Sequence, residues 1–198
     1  NKSRLPGEQG QTIIRPMKDM HLRVIAAALL AMVLIPVARA ANETSALGVG
    51  GRYHSQHSAF AELPFDDGDL SYGLAYEYHE EKGLWQIAVE YCPEPGGVSV
   101  KDGVTNLVDY VVTPQLSLIL KDNIWRGGVG AMASYIEQTD SGEAEWTSVY
   151  WQFLLGIGVP LGMFDLDVMA SYPFEDWDTL SDFDADEMEY VAWLKLSF

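Results

Sequence analysis

The sequence holds one cysteine, Cys92, so no internal disulfide can brace the fold. Basic residues are scarce, with 12 Lys and Arg against 29 Asp and Glu and a net charge of −17. That balance argues against a nucleic-acid partner, whose phosphates would be repelled. A long hydrophobic run is missing too. The apolar stretch at residues 24–37 covers fourteen positions and includes Pro36, short of the ~20 residues a helix needs to cross a bilayer. Beyond it, no segment repeats apolar residues at the helical period, and proline and glycine fall between short apolar runs. This is an all-β composition.

What is present begins with an export signal. Lys18, His21 and Arg23 form a weakly basic start, residues 24–35 are continuously apolar, and Ala38-Arg39-Ala40 supplies small side chains at the −3 and −1 positions. Residues 17–40 therefore read as a signal peptide cleaved after Ala40, with residues 1–16 as upstream read-through and no cysteine at the cleavage site to carry a lipid. Residues 41–198 are left as one domain, with 6 basic against 27 acidic residues and a net charge of −21.

Alternation of apolar and polar residues, bounded by turn formers, predicts eight strands at about 45–55, 69–79, 84–92, 106–120, 124–137, 146–159, 163–173 and 187–198. Three connections are tight, through Glu80-Glu81-Lys82-Gly83, Lys121-Asp122-Asn123 and Pro160-Leu161-Gly162. The other four, roughly 56–68, 93–105, 138–145 and 174–186, are longer and acidic. Short turns at one end and long loops at the other are the build of a membrane-spanning barrel.

In the second strand Leu70, Tyr72, Leu74, Tyr76 and Tyr78 share one face, opposite Ser71, Gly73, Ala75, Glu77 and His79. In the last, Tyr190, Ala192, Leu194, Leu196 and Phe198 oppose Glu189, Val191, Trp193, Lys195 and Ser197. A soluble barrel shows the same period turned inside out, so volume must decide. Eight strands enclose an interior only wide enough to be filled by side chains. The bulky apolar set does not fit there, whereas the face bearing Gly48, Gly50, Gly73, Ala75, Ala88, Gly128, Gly130, Gly156 and Gly158 does. Aromatic residues also sort to the two ends, with Trp85, Trp125, Phe164 and Phe198 near the short turns and Tyr53, Tyr72, Tyr91, Tyr110, Tyr135, Trp151, Tyr172 and Tyr190 toward the long loops. The expected fold is an eight-stranded antiparallel up-and-down transmembrane β-barrel.

The closing segment Tyr190-Val191-Ala192-Trp193-Leu194-Lys195-Leu196-Ser197-Phe198 resembles the C-terminal signal of small bacterial outer-membrane β-barrel proteins. That resemblance implies a bacterial outer-membrane location and an insertion signal carried by Tyr190, Leu194, Leu196 and Phe198. It also implies recognition by the barrel-insertion machinery, while the bulky outer face is expected to meet outer-membrane lipid and the acidic last loop to contact lipopolysaccharide through bridging cations. It covers the mature chain in architecture but names a class only.

Strand parity places Arg52, Glu77, Glu90, Asp109, Arg126, Asp165, Asp167, Glu189 and Lys195 inward. Buried charges must be paired, and Lys195 should meet Asp165 or Asp167 on its hairpin neighbour. A salt-bridged plug is expected over an ion path. His54, Ser55 and His57, with Glu62, invite comparison with outer-membrane lipid deacylases, but parity turns His54 inward and Ser55 outward, and a nucleophile and base on opposite faces cannot share a proton. The acidic loop with Glu175, Asp176, Asp178, Asp182, Asp184, Asp186 and Glu187 departs from a calcium-binding loop and reads as a solvated surface. Cys92 should face the lumen near the outer rim.

The expectation is a monomeric, non-enzymatic envelope protein without cofactor or metal. A binder or conduit for small hydrophobic molecules would instead require an apolar cavity at the outer rim, and a lipid-modifying enzyme would require a Ser-His-carboxylate contact. The ending yields the first prediction. Deleting Phe198 lowers the yield of folded, heat-modifiable protein in the outer membrane, measured by shift of the unheated band in electrophoresis; unchanged yield counts against the insertion signal.

Overall fold

The structure is a computed structural model, which describes residues 44–55, 63–101, 104–139, 144–178 and 183–198. The strands are β1 (Thr44–Tyr53), β2 (Leu70–His79), β3 (Gly83–Pro93), β4 (Val98–Lys101), β5 (Val104–Asp122), β6 (Trp125–Met132), β7 (Tyr135–Gln138), β8 (Ala144–Trp146), β9 (Tyr150–Leu161), β10 (Phe164–Phe174) and β11 (Glu189–Ser197). Antiparallel pairing runs β1-β2-β3-β5-β6-β9-β10-β11 and returns from β11 to β1, which closes an eight-stranded barrel. Gly50 sits opposite both Gly73 and Trp193 in that register. The last residue takes part in closure, since Phe198 and Ser45 exchange backbone hydrogen bonds of 2.8 and 3.1 Å.

The tight turns are where the sequence puts them. Glu80 N–H donates to the Gly83 carbonyl across the first, at 2.8 Å. Asn123 and Gly162 hold the other two in the left-handed region, at φ 55° and 77°, a conformation that asparagine and glycine adopt at least cost.

The long-loop end differs from expectation. The segments 93–105 and 138–145, read as loops, contain β4 and β8, which pair with outward extensions of the barrel strands. The continuous strand expected over 124–137 is broken at Ala133 and Ser134 into β6 and β7, and its partner begins only at Tyr150. Pro114 is the physical reason. Its carbonyl accepts from Ala133 N–H at 3.3 Å, so its ring nitrogen faces the same neighbour, and proline has no proton to donate. The ladder loses a rung there. Side chains replace it: Thr113 and Ser134 hydroxyls meet at 2.8 Å, and Thr147 Oγ1 accepts from Ser134 N–H at 2.9 Å.

Burial follows the two-residue period. Along β11 the inward residues Glu189, Val191, Trp193 and Lys195 are buried, while Tyr190, Leu194 and Leu196 are exposed. Leu47, Val49, Ile87, Leu116, Leu118, Val129, Leu155, Ile157 and Val168 join them on the outer surface. Trp85, Trp125, Phe164 and Phe198 are exposed beside the short turns, and Tyr53, Tyr72, Tyr91 and Tyr190 toward the other end. Tyr110 and Tyr172 are covered instead by neighbouring rings, Tyr110 between Tyr91 and Tyr135 at centroid distances of 5.8 and 6.4 Å, and Tyr172 against Phe183 at 4.7 Å. A continuous apolar surface of this extent is incompatible with water and suits hydrocarbon between two aromatic rings. The barrel is a transmembrane one.

Large side chains do enter the lumen, and glycines make room for them. A Cβ on Gly73 would stand 2.7 Å from the Trp193 ring, and one on Gly48 would stand 2.9 Å from Lys195 Cγ. Leu74, flanked by Val49 and Val89 in the sheet, sits mid-strand on the outer face. Leu74→Arg is expected to cost about 2 to 4 kcal/mol in vesicles, measured by denaturant unfolding. The unmutated barrel should fold only with detergent or lipid, and a soluble cooperative monomer in plain buffer would refute the membrane surface.

Candidate functional site: a layered polar lumen

The inward positions of β1 and β11 alternate in step, with Gly48 opposite Lys195, Gly50 opposite Trp193 and Arg52 opposite Val191. The lumen is therefore stacked in levels. Nearest the short turns, Lys195 Nζ donates to both carboxylate oxygens of Glu77, at 2.9 and 3.1 Å, and to Asp167. Gln86 and His79 hold Glu77 from the other side at 2.8 and 2.6 Å. Arg126 stands over Asp167 at 3.6 Å, and its guanidinium also donates to the carbonyls of Asn123 and Trp125.

Trp193, 1% exposed, lies across the middle, its ring against Gly50 and Gly73. Beyond it Arg52 gathers the second level. Its guanidinium donates to Glu90 at 2.8 Å, Glu189 at 2.8 Å, Ser171 at 2.9 Å, Gln152 at 3.1 Å and Gln115 at 3.3 Å. The two amides complete the set, with Gln115 donating to Glu90 at 2.7 Å and Gln152 to Gln115 at 2.8 Å. Each buried charge in these levels has an opposite charge beside it, as a low-dielectric interior requires.

A third level lies under the outer mouth. His54, just past the end of β1, places Nδ1 2.8 Å from Glu189 and Nε2 2.7 Å from Ser71 Oγ, and all three residues are buried. Phe65 stacks on the imidazole at 3.7 Å and 15°. With Leu63, Cys92, Val108, Val111, Met132, Ile136 and Tyr150 it forms an apolar cluster that caps the lumen. The cavity enclosed by Arg52, His54, Phe65, Met132, Tyr150 and Glu189 has about 10 Å³, room for roughly one water.

The structure brings Arg52, Glu90 and Glu189 together on one side of Trp193, and Glu77, Asp167, Arg126 and Lys195 on the other. Two residues placed inward by parity lie elsewhere. Asp109 is exposed, because the β5-β7 register shifts between Val108 and Tyr110. Val108 and Val111 therefore both reach the lumen, and the residue at the bulge leaves the alternation. Asp165 stands opposite Lys195 in register but is only half-buried, accepting from Ser197 at 3.2 Å at the rim. The lysine amine turns instead to Asp167 and Glu77.

Ser55 is half-buried and its hydroxyl has no partner among the described residues, His54 included. His57, Glu62 and Asp182 lie outside the described residues. In the acidic last loop Asp184 caps a single 3-10 turn by accepting from Asp186 N–H at 3.0 Å. Among the described residues no group of His, Cys, Asp or Glu is arranged to hold a metal ion. Gln115, Gln152, Ser171 and Ser71 were not singled out from sequence. Their inward parity was visible, but their common height depends on strand register.

No family model matches the chain, and no curated protein does. Among solved structures, the crystal structure of Neisserial surface protein A (NspA) is similar, at 12% identity and a TM-score of 0.43, over 79% of this chain and 95% of that one. A likeness so distant carries no statement about function, and the barrel stands on its own strand pairing.

Lys195→Met removes the cation that Glu77 and Asp167 share and leaves only the more distant Arg126, 3.6 Å from Asp167, and the loss is expected to be about 3 to 5 kcal/mol in vesicle-based unfolding. Adding Glu77→Gln and Asp167→Asn should restore most of it. A triple variant as unstable as the single one would show that the lysine acts by its packing rather than its charge.

Proposed function

We propose that the chain is an integral protein of a bacterial outer membrane, contributing to envelope structure or presenting its acidic outer loops at the surface, with a lumen closed to transport. One observation carries this reading: an apolar belt between two aromatic rings surrounds an interior filled by paired charges. A conduit for hydrophobic molecules finds no support in a capping cavity that takes about one water.

In this reading the turns at Lys82, Asp122 and Leu161 face the periplasm and the loops carrying Asp67 and Gly97 face outward. Residues 17–40 direct export. Tyr190, Leu194, Leu196 and Phe198, all exposed on the outer face, engage the insertion machinery. The acidic loops meet lipopolysaccharide through bridging divalent cations, and the barrel acts as a monomer.

Cysteine labelling in intact cells tests the placement, because the native Cys92 is buried and stays silent. Asp67→Cys should react with a membrane-impermeant maleimide, and Lys82→Cys only after the outer membrane is permeabilised. The reverse pattern would invert the orientation, and labelling of both without permeabilisation would remove the protein from that membrane.

A further inference from the structure

The His54 contacts have the roles that acyl transfer requires. Glu189 holds Nδ1 with one carboxylate oxygen while its other oxygen is fixed by Arg52, each at 2.8 Å. The Nδ1–H tautomer is thereby favoured, which leaves the Nε2 lone pair for the Ser71 hydroxyl 2.7 Å away. Nucleophile to base and base to orienting carboxylate are both within hydrogen-bond reach, the geometric requirement for an activated serine. The sequence pairs His54 with the wrong hydroxyl: Ser55 is adjacent in the chain but on the other face, whereas Ser71 reaches His54 because β1 and β2 are neighbours, with Arg52 opposite Ser71.

We propose that Ser71, His54 and Glu189 form an esterase site for acyl esters at the outer membrane interface. Two observations set the substrate class. Ser71 lies between Leu70 and Tyr72, at the level of the outer aromatic ring with Tyr53 and Tyr190. Such rings mark the headgroup region, where the ester linkages of lipids lie. The side chains packed beside His54 are apolar, Leu63, Phe65 and Met132, and buried, so an acyl chain reaches Ser71 only where this cap parts, and then meets apolar groups.

Ser71 Oγ attacks the ester carbonyl carbon while its proton passes to His54 Nε2. The carbon–alkoxy bond breaks, the departing alcohol takes that proton, and the acyl group stays on Ser71. Water, deprotonated by His54, then attacks the acyl carbon, breaks its bond to Oγ and releases the carboxylic acid with the serine restored. Glu189 is a positioning residue that holds the imidazole and its charge.

Ser71 is 3% exposed and Phe65 covers the histidine, so uncovering the site must raise its reactivity. The interface placement rests on the membrane reading above; the serine chemistry does not, and it is tested in detergent, apart from the labelling in cells. Full-length protein, folded by the heat-modifiability criterion, is treated with a fluorophosphonate probe and with nitrophenyl esters of short and long acyl chains. The expected result is an adduct on Ser71 by peptide mass spectrometry, lost in Ser71→Ala and formed faster in Phe65→Ala. Ester hydrolysis should fall about a hundredfold in His54→Gln, the scale of a lost general base. Folded unmutated protein and folded Phe65→Ala that both leave Ser71 unmodified overturn the proposal, whatever the histidine variant does. So does Ser71 labelling at an unchanged rate in folded His54→Gln, since a tie that only anchors the loop would leave the serine unactivated.

Discussion

Arg52 is the group on which the interior depends. A guanidinium presents its donors in a rigid plane, and here they reach Glu90 on β3, Gln115 on β5, Gln152 on β9, Ser171 on β10 and Glu189 on β11. One side chain on β1 thus joins six of the eight barrel strands. Hydrogen bonds to charged groups contribute about 1.5 to 3 kcal/mol each, but the larger consequence is geometric. A closed sheet whose interior is crossed by so many fixed donors cannot slip in register without stranding a charge in a dry lumen.

The remaining interior follows from that fixed point. Trp193 separates the Arg52 level from the Lys195 level, and it fits only because Gly50 and Gly73 leave the space of two side chains empty. Below it, the Lys195 amine between Glu77 and Asp167 repeats the same solution, one cation shared by two carboxylates, with Arg126 standing over Asp167 as well. Above it, Glu189 divides its oxygens between Arg52 and His54, so the rigid plug and the third level share a carboxylate. The His54–Ser71 contact at the mouth is thus held in place by the structural core of the lumen.

Much of this was readable along the chain. The strands, the three tight turns, the bulky outer face and the aromatic rings follow from a two-residue period and its punctuation, which are local properties. The failures are local too, but of a kind that alternation does not report. Asp109 leaves the lumen because one bulge resets parity, and β6 ends at Met132 because a proline on the neighbouring strand has no amide to offer. Asp165 has the inward parity of Asp167 and stands directly opposite Lys195. It lies nearer the turn, where the Ser197 hydroxyl rather than the buried amine donates to it.

The sequence by itself determined an all-β chain, its eight membrane-crossing strands and which face of each meets lipid. Those depend on side chains a few residues apart and on the narrowness of an eight-stranded interior. Which inward residues meet was decided only by the tertiary structure, since partners such as Arg52 and Glu189, or His54 and Ser71, are set by the stagger between strands and by closure of β11 on β1. Parity tells a residue its side of the wall; only register gives its height, and hydrogen bonds form between residues at the same height.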